Sequence, residues 1–260
     1  MELGLKGKVA LVTGSSRGIG RGIALAFAAE GCDLMLTGRD LLALEEVAKA
    51  IRAKGCRAAI SVLDLREPGA PKALVEEVKR EFGHLDILVN NAGTTKRGDF
   101  FALTEADWEE GYALKFFAHV RLSRVAWPLL KERRGSLVAI GGTSGRKPEK
   151  QFTIGSSVNA AVAAFTKCLA DLGKDDHVQV NCIHPSLVET ERQWKRIRAE
   201  VERTGEPADT VRERFCRAIG LMRYGTVEDV ADLVTFIVSS RATWLHWATI
   251  DLDGGEIPVL

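Results

Sequence analysis

Three glycines fall within the eight residues Thr13-Gly14-Ser15-Ser16-Arg17-Gly18-Ile19-Gly20, directly after a short apolar run and before a segment with helical spacing. Glycine at such a junction lets the backbone turn tightly and approach a ligand closely. The helix after it offers free N–H groups and the positive end of its dipole, which together attract phosphate. Gly14, Ser16, Arg17, Gly18, Ile19 and Gly20 are therefore read as a phosphate cradle, against the plain alternative of a glycine turn without ligand. Groups able to move a proton are sparser. The only tyrosines are Tyr112 and Tyr224, and neither has a lysine four residues later. The five histidines show no metal-ligand spacing. His184, just before Pro185 at a strand end, either contacts a substrate or is a hydrogen-bonded structural histidine.

These residues are carried by alternating strand-like and helix-like segments. Strand signals run over Val9–Gly14, Asp33–Gly38, Arg57–Leu63, Asp86–Val89, Ser136–Ile140, Val178–Ile183 and Ala248–Leu252. Helical spacing covers Ile19–Ala29, Leu41–Lys54, Leu74–Phe82, a long stretch from Asp107 to Lys131, and alanine-rich Val158–Leu172. Thr104 with Asp107 and Thr226 with Asp229 have capping-box spacing. Apolar strands without polar alternation, each paired with a helix, predict an α/β fold: a Rossmann-like doubly wound, seven-stranded parallel sheet with helices on both faces. Charged residues 189–220 break the rhythm after a strand end. They read as a surface hairpin or as a substrate lid containing Trp194.

With 260 residues the chain can bury about 73% of its unfolded surface in one core. A formal charge of +1 argues against nucleic acid or an anionic membrane as partner. The five cysteines show no CxxC pair and read as reduced structural thiols. The start of the chain lacks a leader-like apolar stretch, and no apolar run spans a bilayer, so a cytoplasmic protein is expected.

The TGxxxGxG spacing, with Asn90-Asn91-Ala92-Gly93 after the fourth strand, resembles the short-chain dehydrogenase/reductase family over essentially the whole chain. The resemblance implies a nicotinamide dinucleotide, with Asp64 and Leu65 by the adenine and Asn91, Ala92 and Gly93 along the adenosine ribose. It places Pro185, Val188 and Thr190 towards the nicotinamide. The usual Pro-Gly reads Pro185-Ser186 here. Family members preferring NAD usually carry Asp where this chain has Gly38, and Arg39 offers a planar cation suited to a 2′-phosphate. NADP(H) is expected, with NAD(H) as the alternative and Asp40 as its ribose acceptor.

At the chemical end the chain departs from the family pattern of Ser, Tyr, Lys and Asn. Aligned on its flanks, Gly142 stands at the Ser position, Gly155 at the Tyr position, Asn159 at the Lys position and Lys115 at the Asn position. Cation and amide have exchanged places. Lys115 then either holds the nicotinamide ribose and serves as general acid, or merely fills space. Thr143 and Ser144 are the nearby hydroxyls, and Phe152, His184 and Trp194 are candidate substrate contacts. The resemblance implies an oxidoreductase for a small carbonyl or alcohol, assembled as a homodimer or homotetramer. The alternative is an inactive NADP(H)-binding homologue serving as sensor, partner or structural subunit.

Overall fold

A computed structural model of the chain describes residues 2–258. The strands are β1 (Val9–Thr13), β2 (Asp33–Gly38), β3 (Ala58–Val62), β4 (Ile87–Asn90), β5 (Ser136–Ile140), β6 (Gln179–Pro185) and β7 (Thr249–Leu252). They form one parallel sheet in the order β3-β2-β1-β4-β5-β6-β7. This is the doubly wound arrangement that the strand–helix alternation predicts.

Both faces of the sheet are covered, which is why its central strands need no polar alternation. On one face α1 (Gly18–Ala29), α2 (Leu41–Arg52) and α9 (Val227–Ile237) bury Ile23, Phe27, Leu44, Val47, Val230 and Val234. On the other, α3 (Ala70–Phe82) and α5 (Ala118–Arg133) bury Leu74, Val78, Leu122, Leu129 and Leu130. The chain reverses its winding direction between β1 and β4, and an open crevice at such a point is where ligands enter α/β sheets.

Two helix boundaries differ from expectation in ways that bear on the site. The long helix is not continuous: α4 (Glu105–Tyr112) passes into a π-helical turn, Ala113–Phe117, before α5. A π turn carries an extra residue, which rotates the helix beyond it and re-aims the side chains within it, here Lys115. Helix α6 (Thr153–Asp176) begins well before Val158, so Gly155 lies in its first turn. Both expected capping boxes form, at Thr104/Asp107 and Thr226/Asp229.

The charged segment folds as α7 (Glu191–Thr204) and α8 (Ala208–Ile219). Ile197, Val211, Cys216, Leu221 and Tyr224 give this hairpin a small core of its own. No described helix is long and apolar enough to cross a membrane.

Candidate active site

The ends of β1 and β4 are tied together by Thr13. Its Oγ1 accepts from the backbone N–H of Asn91 at 2.8 Å and of Ala92 at 2.9 Å. The Asn91 Nδ2 donates to the Thr13 carbonyl at 2.8 Å. The glycine loop Gly14–Gly20 is thereby pressed against the Asn91-Ala92-Gly93 segment. Gly14 has φ +66° and Gly18 φ +54°, left-handed conformations costly for side-chain-bearing residues. A Cβ on Gly14 would stand 3.2 Å from the Ala92 Cα. A Cβ on Gly20 would meet the Gly14 carbonyl oxygen at 2.3 Å, so this glycine lets the helix pack on its own loop.

One cleft of about 1580 Å³ runs from this loop across the carboxyl ends of the strands to α7 and α8. Gly14, Ser16, Arg17, Gly18, Ile19, Arg39, Asp64, Leu65, Asn91, Ala92, Gly93, Pro185, Val188 and Thr190 line it. Lys115, Thr143, Ser144, Phe152 and Asn159 line its far end. Three expected site residues are absent from the wall. Gly20 is buried behind the loop. His184 is fully buried, and its Nδ1 accepts the Gly142 N–H at 2.9 Å. Burial first, then the cations Lys115 and Arg146, pushes its imidazole down to about 4, so it stays neutral. Trp194 turns into the hairpin core beneath Arg212 rather than towards the cleft. Neither His184 nor Trp194, both expected as substrate contacts, lines the cleft in this structure.

Lys115 extends from the π turn across Gly93. A Cβ on Gly93 would lie 2.8 Å from the Lys115 Cδ, so only glycine leaves room for this stem. The Lys115 Nζ donates to the Gly141 carbonyl at 3.0 Å. Burial, reinforced by the charge of Arg192, pushes this ammonium down to about 8. Asn159 approaches the same peptide from α6: its Nδ2 would lie 2.8 Å from a Cβ on Gly142 and donates to Ser144 Oγ at 2.9 Å. The Asn159 Oδ1 is buried without a partner among the described residues. Amide and ammonium therefore converge on Gly141–Gly142, at the cleft floor.

Above Gly155 the space is filled. The Phe152 ring would lie 2.1 Å from a Cβ on that glycine. The ring is clamped by the Arg97 guanidinium, 3.9 Å from its centroid, and Arg97 is held by Glu149 through bonds of 2.7 and 2.9 Å. This Arg97–Glu149–Phe152 unit is invisible in the sequence because its members lie on two loops 52 residues apart. Arg192 and Arg196 also reach the cleft. The only sequence signal for them is the charge density of the segment that carries them.

The end of the cleft beside α2 is equally defined. Arg66 grips Asp64 through both carboxylate oxygens and holds this carboxyl below the usual range. Arg39 stands second to it, at 3.7 Å from Asp64 Oδ2. Asp40 caps α2, accepting the Ala43 N–H at 3.1 Å, which engages the carboxylate named as the alternative ribose acceptor.

The family model for short chain dehydrogenase matches residues 8–201. The chain belongs to this family. It is similar over its full length to an L-sorbose reductase of Gluconobacter frateurii, solved with NADPH and L-sorbose. That chain is 32% identical, with all of both chains covered and a TM-score of 0.96. A short chain dehydrogenase of Burkholderia cenocepacia J2315, solved in complex with NADP, is 31% identical. It covers 97% of this chain and 98% of its own, with a TM-score of 0.87. Among curated relatives, the 2,3-dihydro-2,3-dihydroxybenzoate dehydrogenase of Bacillus subtilis (strain 168) is 29% identical over 253 residues, 97% of each chain.

Proposed function

We propose that this chain is an NADP(H)-dependent oxidoreductase acting on a small carbonyl or alcohol, with Lys115 as its proton donor and acceptor. The observation that carries the reading is the Lys115 ammonium at the floor of the cleft, 3.0 Å from the Gly141 carbonyl. Its stem is accommodated by Gly93, and burial holds its acidity where a proton can be exchanged near neutral pH. The residues present fit the dinucleotide. Gly14 and Gly18 form the phosphate cradle with the start of α1, and Asn91, Ala92 and Gly93 form a close wall along it. The unpartnered Asn159 Oδ1 is an acceptor for a ribose hydroxyl. A bound nicotinamide supplies or accepts the hydride; Lys115 supplies or takes the proton at the substrate oxygen, and Thr143 borders the same space. Helices α7 and α8 act as the lid over that end.

The test is turnover of NADPH across a panel of aldehydes and ketones, alongside direct NADPH binding. Binding with no turnover of any panel member would overturn the enzymatic reading in favour of an inactive cofactor-binding protein. That second reading has one observation of its own: the Phe152 ring fills the space over Gly155, and Arg97 holds it there.

Cofactor choice turns on Arg39. Asp64 is already neutralised by Arg66, so Arg39 can turn to a 2′-phosphate while giving up only a second, longer ion pair. NADPH is expected to bind about ten- to a hundredfold more tightly than NADH, the worth of one charge-assisted phosphate pair. Arg39→Ala removes most of that difference. Fluorescence titrations giving equal affinities for the wild-type protein would refute the assignment.

Assembly as a homodimer or homotetramer is proposed through α5 and α6, the helices whose pairing the family resemblance implies. Ala160, Ala164, Cys168 and Leu172 recur every fourth residue on α6 and are all exposed. Small residues in such a stripe let two helices approach closely. Light scattering should report a dimer or larger, and Ala164→Arg should reduce it towards the monomer. A wild-type monomer at micromolar concentration would sink the proposal.

A further inference from the structure

The whole chain is nearly neutral, with 36 basic and 35 acidic residues, yet its charges are unevenly placed. At the end of the cleft away from the phosphate loop, Lys96, Arg97, Lys115, Arg192, Lys195 and Arg196 line the wall. The carboxylates there are engaged. Glu149 pairs with Arg97, and Glu256 accepts from Ser186 and faces Lys147. Glu191, nearer the phosphate loop, pairs with Arg17. Lys96 is taken by Asp107. No ion pair to Lys115, Arg192 or Arg196 occurs among the described residues.

Arg192 and Arg196 lie four apart on α7, a spacing at which like charges share one helix face and repel. Arg192 reaches across the cleft, donating from Nη2 to the Thr95 carbonyl at 3.0 Å. Surrounding protein, and then Arg97 and Arg196, hold its guanidinium below the ordinary range, and its charge in turn lowers Lys115. Both arginines remain exposed to cleft water and remain charged. Glu149 and Glu200 act on Arg196 only from beyond ion-pair distance. Cations gathered at a concave surface in excess of the carboxylates that pair with them focus a positive potential, and an entering anion relieves their repulsion.

We infer that the substrate carries a carboxylate or phosphate, held by Arg192 and Arg196 while its reducible group faces Lys115. This rests on the reading that the far end of the cleft takes the reactive carbonyl. The cofactor's own diphosphate is the other source of negative charge, but the contacts point away from it. Thr190 and Glu191 are the residues of this segment that touch the phosphate loop, the Thr190 Cγ2 3.4 Å from where a Cβ on Gly18 would be and Glu191 paired with Arg17. Arg192 is anchored instead at Thr95, beyond the end of β4.

The experiment uses the full chain saturated with NADP⁺ for binding and NADPH for turnover. Benzoate and benzamide are titrated by calorimetry; 4-formylbenzoate and its methyl ester are compared as substrates. Benzoate is expected to bind about ten- to a hundredfold more tightly than benzamide, the range for a charge-assisted contact. Arg192→Gln should abolish most of that preference, Arg192→Lys should retain part of it, and NADPH affinity should not move. Equal binding of benzoate and benzamide would overturn the inference. So would an Arg192→Gln variant that loses NADPH affinity while keeping the benzoate preference, since the anion would then be the cofactor's. A benzoate preference without any aldehyde turnover supports the anion site and overturns the enzymatic reading alone. Turnover of acid and ester with equal kcat/KM does the reverse.

Discussion

Lys115→Met is expected to lower NADPH-dependent carbonyl reduction by about 10²–10⁴-fold, the usual worth of a positioned acid. Methionine keeps the apolar stem that fills the groove over Gly93 and removes the charge, the exchangeable proton and the hydrogen bond to the Gly141 carbonyl. The pH dependence is a second, independent readout. The ammonium is pushed down to about 8 from its ordinary 10.5, so it is protonated below pH 8 and neutral above. Reduction needs the protonated form and should therefore hold steady below pH 8 and decline above it. Alcohol oxidation needs the neutral amine and should rise through the same pH. His184 and His119 do not produce this limb, because burial pushes both down to about 4. An active wild type whose Lys115→Met variant keeps its rate and its pH profile would remove Lys115 from the chemistry. The proton would then have to come from Thr143 or a bound water.

The cofactor end is legible in the sequence because its determinants are local. A glycine spacing between one strand and one helix is enough to specify the Gly14–Gly20 turn. The doubly wound parallel sheet follows from the alternation of β and α segments, with the family resemblance supporting it. What escapes the sequence depends on the path of a helix or on pairs distant in the chain. Nothing in Ala113–Phe117 announces a π turn, yet that turn aims Lys115 at Gly141. Lys115 is identified by its place in the family pattern, whereas its reach over Gly93 is a packing fact. His184 is legible as a residue type at a strand end, but the alternation of faces along β6 turns it to the side of Cys182, onto the Gly142 amide. Trp194 suits the cleft only on the premise that a lid needs a wall; the hairpin instead uses it to complete its own core. The cations of α7 are visible in the sequence as charge and not as a face. Only the three-dimensional arrangement shows that Arg192 and Arg196 share the cleft with Lys115.

Rebuilding the family set of Ser, Tyr, Lys and Asn is expected to restore ordinary carbonyl reduction only when Phe152 is changed as well. The four replacements are Gly142→Ser, Gly155→Tyr, Asn159→Lys and Lys115→Asn. Two of them help each other: Lys115→Asn vacates volume at Gly141–Gly142 that the longer side chain from position 159 then needs. Gly142→Ser brings a Cβ to 2.8 Å from the present Asn159 Nδ2, a contact that disappears with Asn159 itself. Gly155→Tyr has no such relief. Its Cβ alone would lie 2.1 Å from the Phe152 ring, well inside van der Waals contact. That ring is not a free end, since Arg97 stacks on it and Glu149 fixes Arg97. Overpacking of this kind costs about 1–3 kcal/mol, and the tyrosine would be turned from the cleft floor. The four-residue variant should therefore fold less stably and reduce aldehydes little better than Lys115→Met. Adding Phe152→Ala opens the space, and kcat/KM should rise by about 10²–10⁴-fold over the four-residue variant, the value of the acid then in place. The pH limb should move with it, because the introduced tyrosine and its neighbouring lysine replace the Lys115 ammonium as the titrating group. Equal activity of the four- and five-residue variants would show that Phe152 yields without being removed, and the clamp by Arg97 would then have no bearing on the chemistry.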